Sequence, residues 1–108
     1  MLKKINRIGS KKDFLEVKNG GVIKYSPIFG LLILKKDDDL KKFGFIISKK
    51  ISKRAVDRNK IKRYLSEGVR RNLENIKGGT RGVFLVKREI LNKKLEEIVV
   101  EINKILDR

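Results

Sequence analysis

The six residues from Arg58 to Arg63 hold four cations, the amide of Asn59 and the apolar Ile61, with no acid among them. They close a fifteen-residue stretch, Lys49 to Arg63, that carries eight basic residues where an even spread would place about four, and Asp57 is its only acid. Arg presents a planar fork to phosphate, Lys a compact charge, and Asn a donor and an acceptor for sugar hydroxyls or base edges. This is chemistry of holding a polyanion. Chemistry on covalent bonds has little to work with, because the chain has no Cys and no His, which removes thiol nucleophiles, imidazole bases and the usual zinc ligands together. Asp37-Asp38-Asp39 reads as a solvated turn between strands, not a metal site. Lys77-Gly78-Gly79-Thr80 lacks the Gly-Lys-Thr order and following helix of a phosphate loop, and reads as a turn.

The elements that must carry these residues follow from apolar spacing. From Asp57 to about Leu73, Ile61, Leu65, Val69 and Leu73 recur every fourth residue, which predicts a helix with Asp57 as its N-cap. At ~100° per residue, Asn59, Arg63, Ser66 and Arg70 fall within roughly 60° of one another, away from Ile61 and Leu65. That outward row leaves two readings open, a solvated basic face and a phosphate-binding face. Ser10-Lys11-Lys12-Asp13 has capping-box spacing, and Phe14 and Val17 follow it, so a short helix spans about Lys11 to Lys18 and stops at Gly20-Gly21. Residues 1–9, with Lys3, Lys4 and Arg7, form a basic arm that is mobile or ordered by a partner. Ile28 to Leu34, after the one proline, and Phe43 to Ile47 read as strands, and the short polar interval between them predicts an antiparallel hairpin. Val83 to Val86 is a third strand, and Leu91, Leu95, Ile98, Ile102 and Ile105 mark a C-terminal helix.

The expected fold is therefore α+β, an α/β sandwich of order αββαβα with helices packed on a small central sheet. At 108 residues one domain, 1–108, accounts for the chain. Hydrophobic residues make up 40%, enough for a core, against 39% charged. A net charge of +16 opposes compaction through self-repulsion, so a polyanionic partner is expected. Nucleic acid fits better than a lipid surface, since the basic residues run through the whole chain instead of gathering in one amphipathic tail. No membrane partner and no protein partner is expected, and without Cys or a long early apolar run the cytoplasm is the expected compartment. The pairs Lys11-Lys12, Lys35-Lys36 and Lys41-Lys42 read as solubility and edge protection. The five phenylalanines read as core, with Phe14 the one placed to line a groove where an unpaired nucleotide stacks.

The string Phe43-Gly44-Phe45-Ile46-Ile47-Ser48-Lys49-Lys50, followed by Arg58-Asn59-Lys60-Ile61-Lys62-Arg63, closely resembles the bacterial ribonuclease P protein family. The likeness extends through Asn6-Arg7, the helix at Asp13-Phe14, the strand near Val83 and the C-terminal helix. The resemblance implies a left-handed crossover between parallel strands, and a protein subunit of a ribonucleoprotein endoribonuclease that removes the 5′ leader of precursor tRNA. It implies that Mg2+ is held mainly by the RNA subunit and that no side chain of this chain is catalytic. Carried onto this sequence, it assigns Lys53, Arg54, Arg58, Asn59, Lys60, Lys62 and Arg63 to the catalytic RNA, and Phe14, Lys49 and Lys50 to the leader of precursor tRNA.

Three positions depart from the family pattern. Lys18 stands where a second aromatic is common, and is expected to meet a leader phosphate instead; Leu32 stands where a strand tyrosine is common. Lys60 replaces a commoner arginine, keeping the charge and losing the fork. The alternative reading is a generic ribosomal or RNA-chaperone-type protein with no role in cleavage, against which the two linked motifs stand. A DNA reader would need a short helix before the basic one, and a membrane-surface helix more aromatic anchors than Tyr64.

Overall fold

The computed structural model describes residues 2–106, so Met1, Asp107 and Arg108, the ends of the expected 1–108 span, lie outside the described residues. The elements are α1 (Lys11–Gly20), β1 (Val22–Tyr25), β2 (Phe29–Lys35), β3 (Lys42–Ile46), α2 (Ala55–Asn72), β4 (Thr80–Val86) and α3 (Leu95–Leu106). Short 3-10 turns lie at Lys4–Asn6, Leu73–Asn75 and Arg88–Asn92. The expected order αββαβα stands, with β1 as an additional short strand ahead of β2. Among the described residues no helix is long and apolar enough to cross a membrane.

The strands lie in the order β1-β2-β4-β3. β2 pairs antiparallel with β1 and with β4, placing Leu31 opposite Phe84, while β3 pairs in parallel with β4, Phe45 opposite Phe84. This corrects the expected β2–β3 hairpin: β4 lies between the two. The central position goes to the strand whose two faces can both be covered, and Thr80 to Phe84 of β4 are all buried. Its one charge there, Arg81, is neutralised by Asp38 at 2.5 Å and also donates to the Leu40 carbonyl. The same hydrogen bond, with the Leu40 N–H and the nearby Lys36 in support, holds the Asp38 carboxyl below its usual pKa. The turn around Asp37-Asp38-Asp39 is thus clamped to β4. Gly79 in the facing turn has φ +88°, where a side chain is strained, and its carbonyl accepts from the Lys36 N–H.

The period-two alternation of the strands separates two apolar layers. Phe29, Leu31, Phe43 and Phe84 face Ile61, Leu65 and Val69 of α2 and Ile98, Ile102 and Ile105 of α3. Val83, with Leu32, Leu34 and Leu85, faces Val17 and Phe14 of α1 and Ile8 of the arm. The sheet is therefore sandwiched, two helices on one face and α1 on the other.

The arm is the second correction. Leu2 and Ile8 are buried, Arg7 forms a parallel bridge with Phe43, and the Ile8 N–H donates to the Phe43 carbonyl at 3.0 Å. An arm judged by charge alone looks mobile; two apolar side chains and a backbone pairing fix it along the edge of β3.

Candidate nucleic-acid interface

The basic stretch folds as an ordered loop feeding α2. Ser48 Oγ accepts from the Lys50 N–H at 3.2 Å, and Ser52 Oγ accepts from the Arg54 N–H at 3.2 Å and donates to Asp57 at 2.9 Å. Arg58 Nη1 donates to the Ser52 carbonyl at 2.8 Å, and Arg88 to the Lys50 carbonyl at 2.7 Å. Asp57 is not the N-cap: Arg54 holds that position without a side-chain bond, and Asp57 sits in the first turn. Its carboxylate is drawn back toward Ser52 and, at 3.9 Å, Arg54. The loop is held by side chains reaching across it, a pattern invisible to apolar spacing.

Of the expected RNA-binding cations, Lys53, Arg54, Lys60, Lys62 and Arg63 are exposed together with Asn59, while Arg58 is half-buried by its bond to the loop. They do not share one face. Lys60 lies 5.5 Å from the centroid of the Tyr64 ring, on the flank toward Ile90 and Leu91. Lys62 is on the other flank, where it shares a hollow with Lys4 and Arg7 of the arm. Asn59 and Arg63 stand between. Positive side chains at a helix N-terminus oppose the macrodipole, and an anion bound there relieves both.

The expected outward row breaks at its far end. Ser66 is buried, 2% exposed, because the docked arm and β3 cover that side of α2. Arg70 reaches both oxygens of Glu67 at 2.7 Å, and Arg71 bridges Glu67 at 2.9 Å and Glu96 at 3.1 Å. Hydrogen bonds from Arg70 and Arg71 lower the Glu67 carboxyl to about 2, and the same pairs raise both arginines. These guanidiniums are occupied.

A cleft of about 770 Å³ opens between α1 and the sheet. Leu32, Ile46, Val83 and Leu85 form its floor, and Phe14, Leu15 and Lys18 of α1 its wall. Ser10 Oγ accepts from the Asp13 N–H at 3.2 Å, the expected cap, and fixes the start of that wall. Gly44 gives Phe14 its place: a Cβ there would lie 2.5 Å from the ring. Two of the three departures noted in the sequence, Lys18 and Leu32, thus meet in one site, a cationic lip over an aliphatic floor. Lys49 and Lys50 do not line the cleft; they lie in the turn following β3, beyond Ile46. Sequence reasoning missed Lys4 and Arg7 as partners of Lys62. The signal was present in Leu2 and Ile8, apolar residues that anchor them.

The family Ribonuclease P matches residues 2–108 of the chain. The ribonuclease P protein component of Syntrophus aciditrophicus is 28% identical over 107 residues, 99% of this chain and 89% of that protein. That of Rippkaea orientalis is 32% identical over 110 residues, 97% of this chain and 87% of that protein. Among solved structures, the RNase P protein from Thermotoga maritima superposes with a TM-score of 0.85 at 24% identity, covering 94% of this chain and 96% of that one. At that identity the structural likeness speaks for the fold.

Proposed function

This chain belongs to the ribonuclease P protein family, and we propose from that premise that it is the protein subunit of a ribonuclease P holoenzyme acting on precursor tRNA. Family membership makes it part of an endoribonuclease with an RNA partner. The reading goes further and assigns surfaces. Lys53, Arg54, Arg58, Asn59, Lys60 and Arg63 dock the catalytic RNA, Lys62 of the expected set standing apart on the other flank of α2 beside Lys4 and Arg7, and the cleft beneath α1 takes the single-stranded 5′ leader, with Phe14 and Leu32 against a base and Lys18 against a phosphate. Lys49 and Lys50 extend that cationic border past the end of β3.

What carries the reading is one juxtaposition: a set of cations at the start of α2 whose one neighbouring acid, Asp57, is turned back to Ser52, and an open apolar cleft on the opposite face of the sheet. The first suits phosphate, the second unstacked bases. In this mechanism the protein binds and orients. Holding both the leader and the catalytic RNA turns encounter of the scissile bond with the RNA's reactive centre into a nearly intramolecular event. The catalytic centre lies in the RNA, Mg2+ is held mainly there, and the work is done in the cytoplasm. Among the described residues there is no group of three or more His, Cys, Asp or Glu side chains that could hold a metal ion.

Reconstitution tests this. Added to a bacterial ribonuclease P RNA at low magnesium, the protein is expected to increase cleavage of precursor tRNA at the mature 5′ end. Binding to the RNA without any stimulation would favour a generic RNA-binding role and overturn the proposal.

A further inference from the structure

Beside the cleft beneath α1 lies a second hollow of about 380 Å³, over the outer edge of β3. Lys4, Arg7 and Lys62 reach it from the arm and from α2, and among the described residues no acidic side chain lines it. Ile8, Gly9 and Phe14 line both this hollow and the larger cleft, so the two are separated by one low ridge. The floor includes Phe45, a half-buried ring stacked on Phe84 at 5.5 Å and 18°. β3 is an edge strand, the arm bridges it at Phe43, and Gly44 and Phe45 beyond that bridge line the hollow.

Three cations from separate segments brought to one hollow without a counter-charge repel one another, and the fold tolerates this through the burial of Leu2 and Ile8, which ties the arm down beside Lys62. A passing phosphodiester would supply the missing charge. We infer that this hollow is a phosphate subsite for single-stranded RNA: a strand lying in the apolar cleft crosses the ridge at Ile8, Gly9 and Phe14 and places its next phosphates among Lys4, Arg7 and Lys62. The inference rests on the proposed leader binding and extends it. The leader path then runs from an aliphatic floor, where bases pack, to a cationic hollow, where the backbone is held. Lys62 is thereby separated from the other cations of its motif, which face the catalytic RNA.

The source of the phosphates, leader or catalytic RNA, is separated by two measurements on Lys4→Gln/Lys62→Gln, both exposed positions whose substitution breaks no ion pair among the described residues. The holoenzyme carrying this variant is compared with the parent on precursor tRNAs whose leaders are two or eight nucleotides long. Binding of each protein to the catalytic RNA alone is measured across salt. The expected result is a loss of about fivefold to tenfold in affinity for the long-leader substrate, little change with the short leader, and catalytic-RNA affinity within about twofold. Parent-like affinity for the long leader would overturn the subsite. So would a variant that loses catalytic-RNA affinity and keeps its response to leader length. A parent holoenzyme with no stimulation and no response to leader length would instead overturn the proposed function itself. Arg7→Gln, which leaves the arm's backbone pairing intact, is expected to repeat the long-leader loss independently.

Discussion

Arg58 and Arg63 near one end of α2 and Arg70 and Arg71 near the other are the same residue type on the same helix, yet their surroundings divide them. At the far end Glu67 and Glu96 occupy the guanidiniums with bonds of 2.7 to 3.1 Å. At the near end the only acid is Asp57, which is engaged by Ser52 and held 3.9 Å from Arg54. Basic residues alone therefore do not mark an RNA surface; basic residues whose acids have been withheld do. Glu67 and Glu96 set the boundary of the surface as much as the arginines define its centre.

The largest expected effect tests that boundary directly. Arg58→Ala with Arg63→Ala should weaken binding to the catalytic RNA about 10- to 100-fold and reduce the salt slope by roughly 1.5 to 2. Arg70→Ala with Arg71→Ala should stay within about threefold while lowering the melting temperature. Filter binding at several salt concentrations, with thermal melts of each protein, decides it; equal losses of affinity would erase the distinction between the two ends.

Releasing the paired end gives a smaller effect. Glu67→Gln should lower the melting temperature at neutral pH by roughly 2–5 °C and raise affinity for RNA about twofold, since the Arg70 guanidinium loses its partner while Arg71 keeps Glu96. Because the folded carboxyl titrates at about 2 against an ordinary 4.5, its contribution is complete above 4.5, declines as pH falls through that interval and is absent below it. Parent and variant melts should therefore converge toward pH 2. A gap that persists there would mean that the ion pairs are not its cause.

The smallest effect concerns the loop that presents the unpaired end. Ser52→Ala removes the acceptor for the Arg54 N–H and the donor to Asp57, and should cost about 1 kcal/mol of stability. RNA affinity should fall by less than about threefold, because no cation is lost. A larger fall would show that the loop's geometry, and not its charge, governs docking.

The parts of this design that depend on neighbouring residues were legible in the sequence. Ser10 and Asp13 announced the start of α1, the fourfold spacing of Ile61, Leu65 and Val69 announced α2, and the apolar runs announced β2, β3 and β4. The burial of Phe29, Phe43 and Phe84 and the half-exposure of Phe14 followed from the same patterns. Features decided by distant partners were not. The short β1, four residues directly after Gly20-Gly21, is too brief for a strand pattern to stand out, yet its register with β2, Val22 opposite Ile33, makes it a strand. Ser66 and Lys62 took their surroundings from an arm that charge suggested was loose. Helical arithmetic placed Arg70 outward correctly, and Glu67, three residues before it, was a local sign of its pairing, whereas Glu96, 25 residues from Arg71, was not.

The place of β4 between β2 and β3 also dictates an order of events during synthesis. Both neighbours leave the ribosome well before residues 80–86, with the whole of α2 still to come. In that interval β2 and β3 each display an unpaired edge, and the short connection between them favours the local hairpin over the native arrangement. A β2–β3 hairpin formed in that interval would have to open for β4 to enter. The nascent chain thus passes through a stage in which β2 already has its native partner β1 and β3 has none, and α2, by packing on β3 before β4 arrives, is the element positioned to hold the gap open.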